Sequence, residues 1–150
     1  MNMKSAVLIA MVVIVLGFIV MMSRQTATVS NGISMQVSSF IRDIAVKVIP
    51  EESVNLRQLN SKIREYAHFT AYMFFAIVLY FALRHFGVSS SALWAIAICL
   101  GLAIVDEYMQ TFVAGRGGEI KDVLMDGMGA VTGVLLASII KFVMKNRSTS

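Results

Sequence analysis

The sequence predicts an all-α membrane protein: a single domain over residues 1–150, built as a bundle of four transmembrane helices with an interfacial amphipathic helix between the first two. Three observations predict it. Hydrophobic residues make up 57% of the chain and charged ones 15%, with a mean hydropathy of +0.75, which is more apolar surface than a soluble core of 150 residues can hide. Four runs carry no charge, Ser5 to Met22, Ala67 to Leu83 with His68 neutral, Ser89 to Val105 and Gly127 to Ile140. With their polar ends each approaches the roughly 20 residues that cross a ~30 Å hydrocarbon layer, giving spans of about 5–22, 66–83, 89–112 and 122–143. Only one substantial polar segment, Ser23 to Arg64, interrupts them.

The first span follows Lys4, as a cleaved signal peptide would. Its apolar run exceeds the usual ~7–15 residue core, and Ser23-Arg24-Gln25 offers no small-x-small cleavage site, so it reads as an uncleaved anchor. Thr26 to Ser34, rich in Ser, Thr, Asn and Gly, reads as loop. Over about 35–49, Val37, Phe40, Ile41, Ile44 and Val48 recur at helical spacing with Arg42, Asp43 and Lys47 turned away, until Pro50 ends the helix. A helix of this kind beside a span lies in the membrane interface or packs across the tops of its neighbours.

Leu56, Leu59 and Ile63 form a helical stripe leading into the second span, which opens with Arg64, His68 and Tyr72. Spaced by four, they stack on one helix face and carry a guanidinium, an imidazole and a phenol into the membrane. In the third span Asp106 and Gln110 are again four apart, with Glu107 on an adjoining face. Ala114-Gly115-Arg116-Gly117-Gly118 then breaks the helix and sets Arg116 on a short hairpin between two carboxylate-bearing helices. The fourth span starts with Asp122 and Asp126, followed on the same side by Gly129 and Gly133, a small-xxx-small seam that brings this helix against the second or third span. Each charge near the bilayer centre costs roughly 2.5–3.5 kcal/mol, so such groups face one another, water or a ligand.

Composition excludes some classes. Net charge +4 without a basic patch interleaved with aromatics argues against nucleic acid and for anionic lipid headgroups. Cys99 is the sole cysteine, so an internal disulfide is excluded, and its mid-span place reads as packing. Four spans set both termini on one side; five of the Lys and Arg residues fall there and eight opposite, a count that mildly opposes cytoplasmic termini.

Arg64-Glu65-Tyr66-Ala67-His68-Phe69-Thr70-Ala71-Tyr72, then Asp106-Glu107-Tyr108-Met109-Gln110-Thr111-Phe112-Val113-Ala114-Gly115-Arg116, then Asp122-Val123-Leu124-Met125-Asp126-Gly127-Met128-Gly129-Ala130 strongly resemble the VanZ-like family of bacterial membrane proteins. The resemblance runs from about Met21 to Leu136. There are departures: the family commonly has Lys at the place of Glu65, Glu at that of Ala71, and Pro at that of Ala114. The resemblance implies a multi-pass protein of the bacterial cell membrane, and, through the family's namesake, a link to low-level teicoplanin resistance.

Three readings follow. In the first, Arg64, His68 and Arg116 hold the phosphate of a membrane lipid or lipid-linked cell-wall precursor, while Tyr72, Asp106, Glu107, Gln110, Asp122 and Asp126 complete the site. In the second, the chain is an intramembrane enzyme in which Asp106, Asp122 and Asp126, with His68, bind Mg²⁺ or Mn²⁺ and act on a lipid phosphate. In the third, the polar cluster staples the bundle. The first is favoured, because both arginines and the acids converge on one membrane face, with neither a nucleophile nor a closely spaced metal-ligand motif in evidence.

Overall fold

The computed structural model describes residues 2–24, 27–47, 55–113 and 117–147. Five helices follow in order: α1 (Met3–Ser23), α2 (Ala27–Ala45), α3 (Leu56–His85), α4 (Ser91–Gln110) and α5 (Ile120–Arg147). The described residues contain no strand. Four of the helices, α1, α3, α4 and α5, are long and apolar enough to cross a membrane.

Local chemistry sets the helix ends. The Asn2 side chain accepts from Ser5 N at 2.8 Å and starts α1; that of Asn55 accepts from Arg57 N and Gln58 N and starts α3. The stripe at Leu56, Leu59 and Ile63 belongs to α3 itself, so stripe and span form one continuous helix. α3 ends in a Schellman turn: Val88 N donates to Leu83 O, Gly87 N donates to Arg84 O, and Gly87 takes φ +74°, which a residue without Cβ adopts at little cost.

α3 is the hub, packing against all four other helices, and its contact with α5 is the most extensive. Glycines set that contact. A Cβ on Gly129 would overlap the Phe69 carbonyl oxygen, and one on Gly133 would overlap that of Met73. Phe69 meets Gly129 and Met73 meets Gly133, so the two helices run parallel, and the seam joins the fourth span to the second rather than to the third. At the far end Ser5 Oγ lies 2.9 Å from His85 Nε2, so α1 runs antiparallel to α3.

Small side chains fill the interior: Ala76, Ala95, Cys99, Ala103, Ala130 and Ala137 are buried, around Tyr72, Phe75 and Leu79. Large apolar groups point outward, among them Val13, Ile14, Phe74, Leu93, Trp94, Ile104, Leu135 and Phe142. A close-packed inside of small residues under an apolar outside is how helices associate in lipid.

The polar segment departs from its reading as loop then helix. α2 begins at Ala27, so Thr26 to Ser34 is not a loop over its described residues; the helix ends at Ala45 in a turn through Val46 and Lys47, short of the expected 49. Val48 to Pro50, with the helix stop assigned to the proline, lie outside the described residues. Packing explains the earlier start. α2 packs against α3, Ser34 and Ser38, one turn apart, are buried, and Ser38 Oγ donates to Ser34 O at 2.7 Å. Tertiary contact overrides the weak helix propensity of Ser and Gly. Val37, Phe40 and Ile44 form a separate, exposed stripe.

Adding a methyl group at either seam glycine forces α3 and α5 apart. We expect Gly129→Ala and Gly133→Ala each to destabilise the detergent-solubilised protein by about 1–3 kcal/mol, seen as a lowered thermal midpoint. Gly101→Ala, where a Cβ meets nothing within 4 Å, is expected to hold or raise it, since Ala exceeds Gly in helix propensity by about 1 kcal/mol. Equal effects at all three sites would refute the seam.

Candidate functional site

Because α3 and α5 are parallel, their N-terminal portions lie side by side, and the C-terminal end of α4 joins them. A cavity of about 120 Å³ opens there, lined by Ser61, Arg64, Glu65 and His68 of α3, Gln110 of α4, and Glu119, Asp122, Met125 and Asp126 at the start of α5. Helical spacing places Ser61, Arg64 and His68 on one face of α3, and Asp122 and Asp126 on one face of α5. The lining grades from exposed Ser61 and Glu119, through half-buried Arg64, His68 and Asp122, to Asp126 at 2% exposure.

At the deep end His68 Nδ1 stands 3.9 Å from Asp126 Oδ2. Asp106 joins them: His68, Asp106 and Asp126 each present one potential ligand atom, all within 4.8 Å of one another. Gln110 Nε2 donates to Asp106 Oδ2 at 3.4 Å. Asp126 Oδ1 has no hydrogen-bond partner among the described residues, and neither does the hydroxyl of Tyr72, which is fully buried one turn beyond His68. Burying such groups unpaired costs about 1–3 kcal/mol each in proteins.

Other charges form the frame. Glu107, 7% exposed, accepts from the Glu119 backbone N–H at 2.6 Å, so a carboxylate from α4 caps the start of α5. Gly118 permits this closure, since a Cβ there would press on Thr111 Cγ2 at 2.9 Å and Glu107 O at 3.0 Å. At the rim, Glu65 Oε1 accepts from Lys121 Nζ at 2.6 Å and Oε2 from Lys62 Nζ at 3.1 Å, linking α3 to α5.

Of the residues singled out in the sequence, Arg64, His68, Gln110, Asp122 and Asp126 line the cavity together, and Asp106 joins it through His68 and Asp126. Tyr72 sits in the core, and Glu107 serves the hairpin from behind the cavity. Arg116 lies outside the described residues. Of the residues weighed as metal ligands, His68, Asp106 and Asp126 form a close group and Asp122 stands outside it. Ser61, Glu119 and Met125 were missed as lining residues, and Glu65 entered only as a departure. Ser61 was within reach, being one turn before Arg64 and two before His68; nothing in the sequence marks Glu119, which the hairpin brings in.

An apolar-surfaced helical bundle with a polar cavity walled by three spans defines a multi-pass membrane protein with an ionisable site within its helices. The chain belongs to the VanZ/LLP1 family, whose model matches residues 8–141. Comparisons with curated proteins and with solved structures returned no significant match.

Glu107 is the hairpin's keystone on this geometry. We expect Glu107→Ala to cost about 1.5–3 kcal/mol in detergent, the range for losing a hydrogen bond to a charged group, and Glu107→Gln, which keeps an acceptor, to cost less. Thermal midpoints of the two variants check this; equal losses would show that the acceptor is not what matters.

Proposed function

We propose that this cavity binds the phosphate headgroup of a membrane lipid or lipid-linked cell-wall precursor in the bacterial cell membrane. The observation that carries the reading is the grading of the cavity: Ser61 is exposed at its mouth, Arg64 and His68 are half-buried, and Gln110 is buried. These donors suit a phosphate that enters from the headgroup layer while its acyl or prenyl chain stays in lipid. Several acids are already matched, Glu65 by Lys62 and Lys121, Asp106 by Gln110 and Glu107 by the Glu119 N–H, so they hold donors and helix ends in place. By its resemblance to VanZ-like proteins the chain would alter teicoplanin susceptibility through that lipid, and Arg116 would add a second guanidinium.

The exposed stripe of Val37, Phe40 and Ile44 on α2 supports a place for this helix in the membrane interface. The grouping of His68, Asp106 and Asp126 favours a second reading, a metal-dependent enzyme acting on a lipid-linked phosphate. In the stapled-bundle reading, substitutions lower stability and expression together without a separable loss of binding.

Native mass spectrometry of protein gently extracted from its own membrane tests the headgroup reading. Wild type is expected to retain a phospholipid or polyprenyl phosphate, and Arg64→Ala at matched folding to lose it at least about tenfold, the range of 1.5–3 kcal/mol for a charged hydrogen bond. Equal lipid profiles would overturn it. For α2, Phe40→Trp in a Trp94→Phe background is expected to be quenched most by lipids brominated near the headgroup; quenching matching that in water would exclude an interfacial helix.

A further inference from the structure

We infer that the deep end of the cavity is a divalent-cation site formed by His68, Asp106 and Asp126, selective for a first-row transition ion such as Zn²⁺ or Mn²⁺. Three helices converge to make it: His68 comes from α3, Asp106 from α4 and Asp126 from α5, so no short sequence motif encodes it.

Geometry carries the inference first. Ligands held about 2.0–2.2 Å from one ion lie at most about 4.4 Å apart. The three candidate atoms lie within 4.8 Å, and His68 Nδ1 is 3.9 Å from Asp126 Oδ2, so small rotations of half-buried His68 and Asp106 bring all three onto one ion. Asp126 supplies the second, independent observation. It is 2% exposed, it lines the cavity, and its Oδ1 has no hydrogen-bond partner among the described residues. A carboxylate in that setting is stabilised by a cation far more than by an imidazole 3.9 Å away.

Donor chemistry then narrows the ion. One imidazole with two carboxylates is a mixed nitrogen and oxygen set, which suits Zn²⁺ or Mn²⁺ better than the all-oxygen preferences of Mg²⁺ and Ca²⁺. Gln110 bonds Asp106 Oδ2 and thereby orients one ligand from outside the set. Three protein ligands leave coordination positions open toward the cavity, where an oxygen ligand such as water or phosphate completes the shell. That last step rests on the headgroup reading; the cation site itself does not. With the ion present, a phosphate would meet the ion on one side and Arg64 on the other, and the negative charge at the cavity floor would no longer oppose it.

Metal uptake in detergent tests the site without any lipid assay. Protein stripped with EDTA and dialysed is titrated with ZnCl₂ or MnCl₂, and bound metal is counted by mass spectrometry. Wild type is expected to take up about one ion per chain and to gain several degrees in thermal midpoint, because the ion binds only the folded state. His68→Ala, Asp106→Asn and Asp126→Asn are each expected to lower affinity at least tenfold, whereas Asp43→Asn, at an exposed acid of α2 outside the cavity, should match wild type. No stoichiometric uptake by wild type overturns the site, as does equal uptake by wild type and the His68→Ala variant. Should Asp126→Asn fail to fold, the half-buried His68 and Asp106 variants decide. Lipid analysis of the same samples separates the two proposals. A phosphate lipid retained by metal-free wild type, with no ion taken up on titration, removes the cation and leaves the headgroup. One ion bound with no phosphate lipid selected does the reverse.

Discussion

Everything at the site depends on how closely α3 and α5 approach. Helices in lipid are not driven together by hydrophobic burial, because the acyl chains are as apolar as leucine, so packing has to supply the attraction. Gly129 and Gly133 remove two side chains where the carbonyls of Phe69 and Met73 press against α5. The register this imposes sets Asp126, three residues before Gly129, beside His68, one residue before Phe69. Without that contact, an acid and an imidazole on separate spans would each face lipid at a cost of several kcal/mol. The seam is therefore an electrostatic device as much as a steric one.

Much of this was legible. Four spans follow from uncharged runs of the right length, and α3 and α5 proved longer than their apolar parts because Leu56, Leu59 and Ile63 at one end and Lys145 to Arg147 at the other continue the helices. Spacing by four correctly paired Asp106 with Gln110 and placed Arg64 and His68 on one cavity wall. It also put Tyr72 on that ridge, but ridge position does not fix depth, and Tyr72 ends in the core. Helical periodicity fixes direction around an axis; it does not give the angle or depth at which two axes meet.

What stayed illegible depended on contact between elements. Glu107 read as one more acid of the cluster, whereas it caps α5 through the Glu119 N–H, a bond made only when the hairpin closes. α2 starts early because the helix packs on α3, with Ser34 and Ser38 buried, and local composition carries no sign of that contact. Glu65 looked like a departure from the family at a charged position. Its neighbourhood gives it a role here: Lys62 and Lys121 both donate to it, and the Lys121 bond links α3 to α5 at the rim.

The acids of α5 are held by different means, and magnitudes separate them. Asp122 lies in the first turn, where the helix N-terminus contributes about 0.3–1 kcal/mol to a negative charge. That field fades beyond the first turn, and Asp126 is the seventh residue of α5, about 9 Å along the axis. Desolvating a carboxylate at that depth costs several kcal/mol, which one dipole end cannot offset. His68, at 3.9 Å and half-buried, offsets part of it when protonated. A positive charge beside Asp126 would offset the remainder, and the place for it is the point where His68 and Asp106 already converge on Asp126.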